Sequence, residues 1–160
     1  MRVYADGSAL VRFLPAPDQS VDWQRWAEQR LPDLLVTSLS LAELRLAALW
    51  TPAHVRARLH AVTERLEVAR FSDQAVHVAA LDESGLSPFG RLHLGVAVAH
   101  PEVTAFASYD PLLAAAAAER GLAVVAPGRP DRWWDPLASA PLGDATPRWP
   151  AVAAGPRTGR

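Results

Sequence analysis

Along residues 1–126 short apolar runs alternate with helix-length segments, and no other feature of the chain narrows its fold as much. Arg2–Asp6 reads as a first strand closed by Asp-Gly-Ser, and Ala9–Leu14 as a short helix stopped by Pro15. Asp18–Arg30 carries Val21, Trp26 and Gln29 at helical spacing. Leu34–Thr37 reads as a buried strand, and Ser40 as the cap of a helix over Leu41–Trp50 with Glu43 in its first turn. Pro52 opens a helix to Leu66, Val68–Phe71 is a short strand, and Asp73–Leu81 is a helix. Ser87-Pro88 opens a helix to Ala99, followed by a strand over Val103–Ser108. Pro111–Arg120 is an alanine-rich helix stopped by Gly121, and Ala123–Ala126 is the last strand. Such alternation predicts an α/β domain with a mostly parallel sheet covered on both faces. No internal repeat interrupts it.

Composition removes several alternatives. Half of the 160 residues are hydrophobic and 21% are charged, enough for a core that needs no covalent staples. The cysteine count is zero, which excludes disulfides, thiolate zinc sites and a cysteine nucleophile. Uncharged stretches such as Leu92–Pro101 and Pro111–Ala118 are too short to span a membrane. Asp6 and Arg12 interrupt the first apolar run, unlike a signal peptide. A cytoplasmic protein without a membrane partner is the expectation. The formal charge of −1, from 16 basic and 17 acidic residues, excludes a polycation that grips nucleic acid by bulk charge. It leaves local contact with nucleic acid open. Every basic residue other than histidine is arginine, which fits either a coding bias or a preference for phosphate and base edges.

In parallel sheets ligands bind beyond the carboxyl ends of the strands. Asp6 and Asp110 each follow a predicted strand, and Glu43 lies in the first helical turn after the second one. Taken singly, each is equally a turn former or a helix cap. As a set they place three carboxylates on one sheet edge, where each raises the pKa of the others. A hard divalent cation, magnesium or manganese, would relieve that repulsion. The chemistry that follows is metal-assisted phosphodiester hydrolysis.

Three motifs carry a resemblance. Val3-Tyr4-Ala5-Asp6-Gly7-Ser8-Ala9-Leu10-Val11 resembles the opening of PIN-domain ribonucleases, above all VapC-type toxins of toxin–antitoxin pairs. Ser38-Leu39-Ser40-Leu41-Ala42-Glu43-Leu44 resembles their second motif, and Phe106-Ala107-Ser108-Tyr109-Asp110 their late Thr/Ser-x-Asp motif. The resemblance covers residues 2–126 in order. It implies a three-layer α/β/α domain over residues 1–128, with a five-stranded sheet whose first and fourth strands are neighbours. It also implies a magnesium-dependent endoribonuclease acting on tRNA or ribosomal RNA, a homodimer, and a small cognate antitoxin. Asp6, Glu43 and Asp110 would be the catalytic and metal-binding residues. Ser8 and Ser108 match positions that help hold metal-bound water or neighbouring carboxylates, or are turn hydroxyls.

The chain departs from the family at its third motif, which normally reads Asp-Ala-Leu-His-Leu-Ala at a helix start. Here the run is Gly90-Arg91-Leu92-His93-Leu94-Gly95. Local physics also finds Gly90 out of place. With Ser87 as N-cap and Pro88 at N1, residue 90 is N3, where an acid would complete a capping box and face the positive helix end. Either the site has been lost or remodelled, or an aspartate of a parent sequence has been replaced; one base change suffices. Asp82 and Glu83 are candidates to replace the acid, or solvated loop charges. His93 matches a family histidine and reads as positional rather than metal-binding.

Arg12, Arg45 and Arg91 are candidate phosphate contacts near the mouth of the site, against the plainer reading of surface arginines. Arg56, Arg58, Arg65 and Arg70 either track an RNA backbone or solvate a helix. Residues 129–160 hold six prolines and three tryptophans (Trp133, Trp134 and Trp149) without periodicity. Proline suggests a linker or tail, but indoles are large apolar surfaces. Trp133 and Trp134 are therefore expected to pack on a folded surface. Two further readings remain: a non-catalytic PIN-fold module that binds RNA or antitoxin, and a metal-dependent DNA nuclease.

Overall fold

The computed structural model describes residues 1–15 and 20–136. Five strands, β1 (Arg2–Ala5), β2 (Leu34–Thr37), β3 (Glu67–Ala69), β4 (Val103–Ala107) and β5 (Ala123–Val125), form one all-parallel sheet in the order β3-β2-β1-β4-β5. Seven α-helices are described: α1 (Gly7–Leu10), α2 (Ser20–Glu28), α3 (Ser38–Ala47), α4 (Ala53–Thr63), α5 (Asp73–Ala80), α6 (Pro88–Ala99) and α7 (Pro111–Glu119).

Alternation along the central strands sorts the core into two layers. Val3, Ala5, Leu34, Val36, Ala105 and Ala107 face Leu10, Trp23, Leu41, Leu44 and Leu59 of α1–α4. Tyr4, Leu35 and Phe106 face Ala75, Leu94, Ala97, Leu113 and Ala117 of α5–α7. Residues buried on both faces explain why these strands read as continuous apolar runs. From β1 the chain moves outward through β2 to β3, then returns to the far side of β1 as β4. The direction reverses between β1 and β4, so the loops that leave their carboxyl ends diverge and open a crevice.

Several local expectations shift. The helix carrying Glu43 starts at Ser38 and not after Ser40. Thr37 is its N-cap, and Ser40 is the N3 partner of a capping box. That helix ends at Ala47, three residues before Trp50. In α2 the buried stripe is Ser20, Trp23 and Ala27, whereas Val21 is 65% exposed. The strongest anchor is thus Trp23, which sits edge-on to Phe13 and Tyr109. Residues 18 and 19 of the expected second helix lie outside the described residues. The third strand runs Glu67–Ala69 and ends before Phe71.

Other signals correspond closely. Gly121 (φ 80°) ends α7 in a Schellman arrangement, its N–H donating to Ala118 O and that of Leu122 to Ala117 O. Gly95 lets α6 press on α5, since an added Cβ would lie 2.3 Å from Ala75 O. Beyond β5, the Tyr109 hydroxyl donates to Pro127 O (2.7 Å). Trp133 and Trp134 are half-buried and meet edge to face. Both line a cleft with the end of β5, and Trp134 lines another with Ala115, Ala118 and Glu119 of α7. Trp149 and the rest of the tail from residue 137 lie outside the described residues. Among the described residues no helix is long and apolar enough to cross a membrane.

Candidate functional site

The end of β1 delivers Asp6 to the β1/β4 crevice, where its backbone N–H donates to Ala107 O of β4. The side chain is 2% exposed and serves as N-cap of α1. Oδ1 accepts from Ala9 N (2.9 Å) and from Ser8 Oγ (2.7 Å), and Oδ2 accepts from Ser108 Oγ (2.7 Å). The Ser8 and Ser108 hydroxyls lie 3.3 Å apart and receive the N–H groups of Tyr109 and Asp110 respectively. The two serines therefore brace Asp6 and splice the β1 loop to the β4 loop. Burial pushes the Asp6 carboxyl above the usual carboxylate range, against the lowering effect of these hydrogen bonds.

Asp110 is the exposed N-cap of α7, with Oδ1 accepting from Leu112 N (2.9 Å) and Leu113 N (3.1 Å). Capping and site roles coexist here, because among the described residues no hydrogen bond reaches Oδ2.

Glu43 projects from the second turn of α3, and its Oε2 meets His93 Nε2 at 3.0 Å. A carboxylate only accepts, so Nε2 donates to Glu43, and Nδ1 pairs with the Tyr4 hydroxyl at 2.7 Å. Burial pushes the Tyr4 phenol well above its usual range, against the lowering contacts from Ser40 and Thr37, so it remains a donor. A chain Tyr4–His93–Glu43, buried at its first two members, thus links strand β1, helix α6 and helix α3. The positional role expected of His93 takes this form. Gly7 makes room for it: an added Cβ would lie 1.9 Å from Glu43 Oε2 and 2.6 Å from Glu43 Cβ.

Asp6, Glu43 and Asp110 line one cavity of about 150 Å3 at the carboxyl ends of the strands, with Ser8, Ser87, Phe89, Gly90 and His93. The three predicted carboxylates are therefore brought together. Gly90 belongs to the same wall, as the buried N3 residue of α6, its N–H donating to Ser87 Oγ (3.1 Å). A Cβ at position 90 would meet Leu86 Cβ and Ser87 Oγ at 3.4 Å, ordinary contact distances.

The arginines do not join them. Arg45 lines a separate apolar cleft of about 250 Å3 between α3 and α4. Arg91 Nε donates to Leu86 O (3.1 Å), and Arg91 lines a shallow cleft against α5. The Arg12 guanidinium lies over the Tyr109 ring. On α4, Arg58 turns to Gln24 and Glu28 of α2, which ties it to the fold. Asp82 is neither a solvated loop charge nor part of the cavity. It is 3% exposed and pairs with Arg120 (2.6 Å) and Ser84, clamping the turn after α5 to the end of α7. Although burial opposes it, these partners hold its carboxyl below the usual range. Glu83 is exposed and likewise absent from the cavity wall.

Oxygen donors facing one cavity suit a hard cation in chemical type. Glu43 Oε1 and Asp110 Oδ2 accept no hydrogen bond from any described residue. Arrangement is the shortfall. Among the described residues no group of three or more His, Asp or Glu side chains is arranged so that it could hold a metal ion. The sequence reading missed the Tyr4–His93–Glu43 chain and the clearance role of Gly7. A histidine in the second turn of a helix and a glycine after a strand are common, and only the tertiary packing that brings α3 and α6 to β1 and α1 connects them. No protein-family model matches this chain, and a search of curated proteins returns no match.

Proposed function

We propose that this chain is a PIN-like, VapC-type toxin: a magnesium-dependent endoribonuclease whose acidic site is one carboxylate short. The observation that carries the reading is the cavity itself. A buried Asp6 with a raised pKa shares it with Glu43 and Asp110, and the wall also holds a glycine at a helix N3 position where a Cβ fits. With an acid at position 90 completing the set, Asp6, Glu43 and Asp110 would hold a divalent cation, which would supply water activation and stabilisation of charge on the phosphoryl and leaving oxygens.

The chain's own residues supply the preorganisation. Ser8, Ser108 and the α1 N-terminus hold Asp6 in one orientation. His93, itself held by Tyr4, holds Glu43, and Asp110 keeps one oxygen free while the other caps α7. RNA would enter as an unpaired segment, where backbone and bases are accessible. The substrate class would be tRNA or ribosomal RNA.

The partner would be a small antitoxin, and the functional unit a homodimer. The cleft between α3 and α4 supports a protein partner: it is lined by Leu41, Leu44, Ala48, Leu49 and Leu59 together with Arg45, Arg56 and His60. An antitoxin segment with apolar residues flanked by acids would complement it, while a basic side chain of the same partner would neutralise the acidic cavity. Gly90 also favours a second reading, a non-catalytic module of the same fold that acts through RNA or antitoxin contacts alone.

The decisive comparison is cleavage of total RNA and of DNA by the Gly90→Asp protein, with magnesium and with a chelator. Magnesium-dependent loss of RNA supports the enzyme. Preferential loss of DNA supports a DNA nuclease. No cleavage of either, with RNA or antitoxin binding retained, supports the binding module.

A further inference from the structure

The acidic cavity poses a problem for any polyanion. Among the described residues its wall carries no arginine, and its histidine is 3% exposed with both ring nitrogens engaged. Charge at the mouth therefore repels phosphate, and attraction must come from another source. Phe89 supplies one. It lines this cavity and is 60% exposed, although a ring of that size is normally covered. Among the described residues it makes no aromatic contact.

Its backbone is firmly placed. Phe89 is N2 of α6, between Pro88 at N1 and Gly90 at N3, under the Ser87 cap whose backbone oxygen also accepts from Arg91 N (2.9 Å). Its neighbour on the cavity wall, Gly90, adds no side chain there.

Building on the RNA reading, we infer that Phe89 is a stacking platform for one unpaired base beside the phosphate that occupies the acidic cavity. Stacking on an aromatic face tolerates any base and needs no charge. It also requires that the base be out of a helix, so Phe89 selects unpaired over paired strands.

The experiment is fluorescence anisotropy of the full chain with a labelled unpaired RNA hexamer, in magnesium and in chelator, with the probe's intactness checked on a gel. Phe89→Ala should weaken binding about five- to twenty-fold, and Phe89→Trp should retain it. The difference should persist as salt rises, and should vanish on a probe made entirely of abasic nucleotides. Thermal melts establish that both variants fold. Equal affinity of Phe89→Ala and the unaltered protein overturns the platform and leaves the nuclease reading intact. So does a change in oligomeric state without a change in RNA affinity, which would make Phe89 a protein contact. No binding of the hexamer by the unaltered protein also overturns the platform. Binding that depends on Phe89, without cleavage by Gly90→Asp, upholds the platform and removes the nuclease.

Discussion

Replacing Gly90 by aspartate would act on a helix and on the proposed metal site together, and the two effects are separable. The backbone accepts the change, because the nearest atoms to an added Cβ are Leu86 Cβ and Ser87 Oγ at 3.4 Å, and residue 90 is not among the positive-φ glycines. An acid at N3 interacts with the helix dipole, worth roughly 0.3–1 kcal/mol. It can also return a hydrogen bond to the Ser87 backbone. Against this, the new carboxylate joins Asp6, Glu43 and Asp110 around one cavity. Two carboxylates about 6 Å apart repel by roughly 3 kcal/mol at an effective dielectric of 20. Without a cation, repulsion therefore exceeds the helix gain, and Gly90→Asp should melt below the unaltered protein.

A divalent ion about 4 Å from the added carboxylate gains roughly 8 kcal/mol at the same dielectric, before desolvation offsets much of it. Magnesium should accordingly raise the melting temperature of Gly90→Asp far more than that of the unaltered protein. The assay pairs thermal melts across a magnesium titration with cleavage of total RNA in magnesium and in chelator. The unaltered protein should cleave poorly or not at all, and Gly90→Asp should cleave only with magnesium. The reasoning fails if the unaltered protein is fully active and Gly90→Asp changes neither cleavage nor the magnesium dependence of melting. Glu83 would then have to move into the cavity, and its substitution would be the next measurement.

Further outcomes follow from individual contacts. Gly7→Ala drives a methyl into the Glu43 side chain, including its Cβ, which α3 cannot swing aside; a loss of about 1–3 kcal/mol in denaturant unfolding is expected, with weaker magnesium binding. Tyr4→Phe leaves His93 Nδ1 and the Thr37–Ser40 hydroxyls without their common partner, costing about 1–3 kcal/mol by the same measurement. The folded-state pKa of Asp6 is raised, so the native protein holds that proton more tightly than the unfolded chain. Its contribution is full below the unfolded value near 3.8 and declines as pH rises through the folded value. Melting temperatures of Asp6→Asn should lack this decline; a parallel fall in both proteins would refute the assignment. Asp82 has the opposite sign: its lowered pKa stabilises above the unfolded value and is lost as pH falls through the folded value, so Asp82→Asn should remove that acid-side loss of stability.

Local chemistry in the chain already determined a good deal. The period of apolar runs set five strands and their crossovers, Gly121 set a helix stop, and Ser87-Pro88 set the start of α6. Strand-end positions were enough to bring Asp6, Glu43 and Asp110 to one edge, because a parallel sheet sends every carboxyl end the same way. Tertiary structure decided what depends on partners remote in sequence. Asp82 reads as a loop charge until Arg120, 38 residues on, arrives to bury it. His93 becomes Glu43's support only where α6 crosses β1 beside Tyr4. Arg45 and Arg91 lie near site residues in the chain, yet line other clefts, because the helix turns Arg45 away from Glu43 and Arg91 away from His93, each two residues apart. Gly7 looks like a turn glycine, and its constraint is set by α3, which lies against α1 at a distance no local pattern encodes.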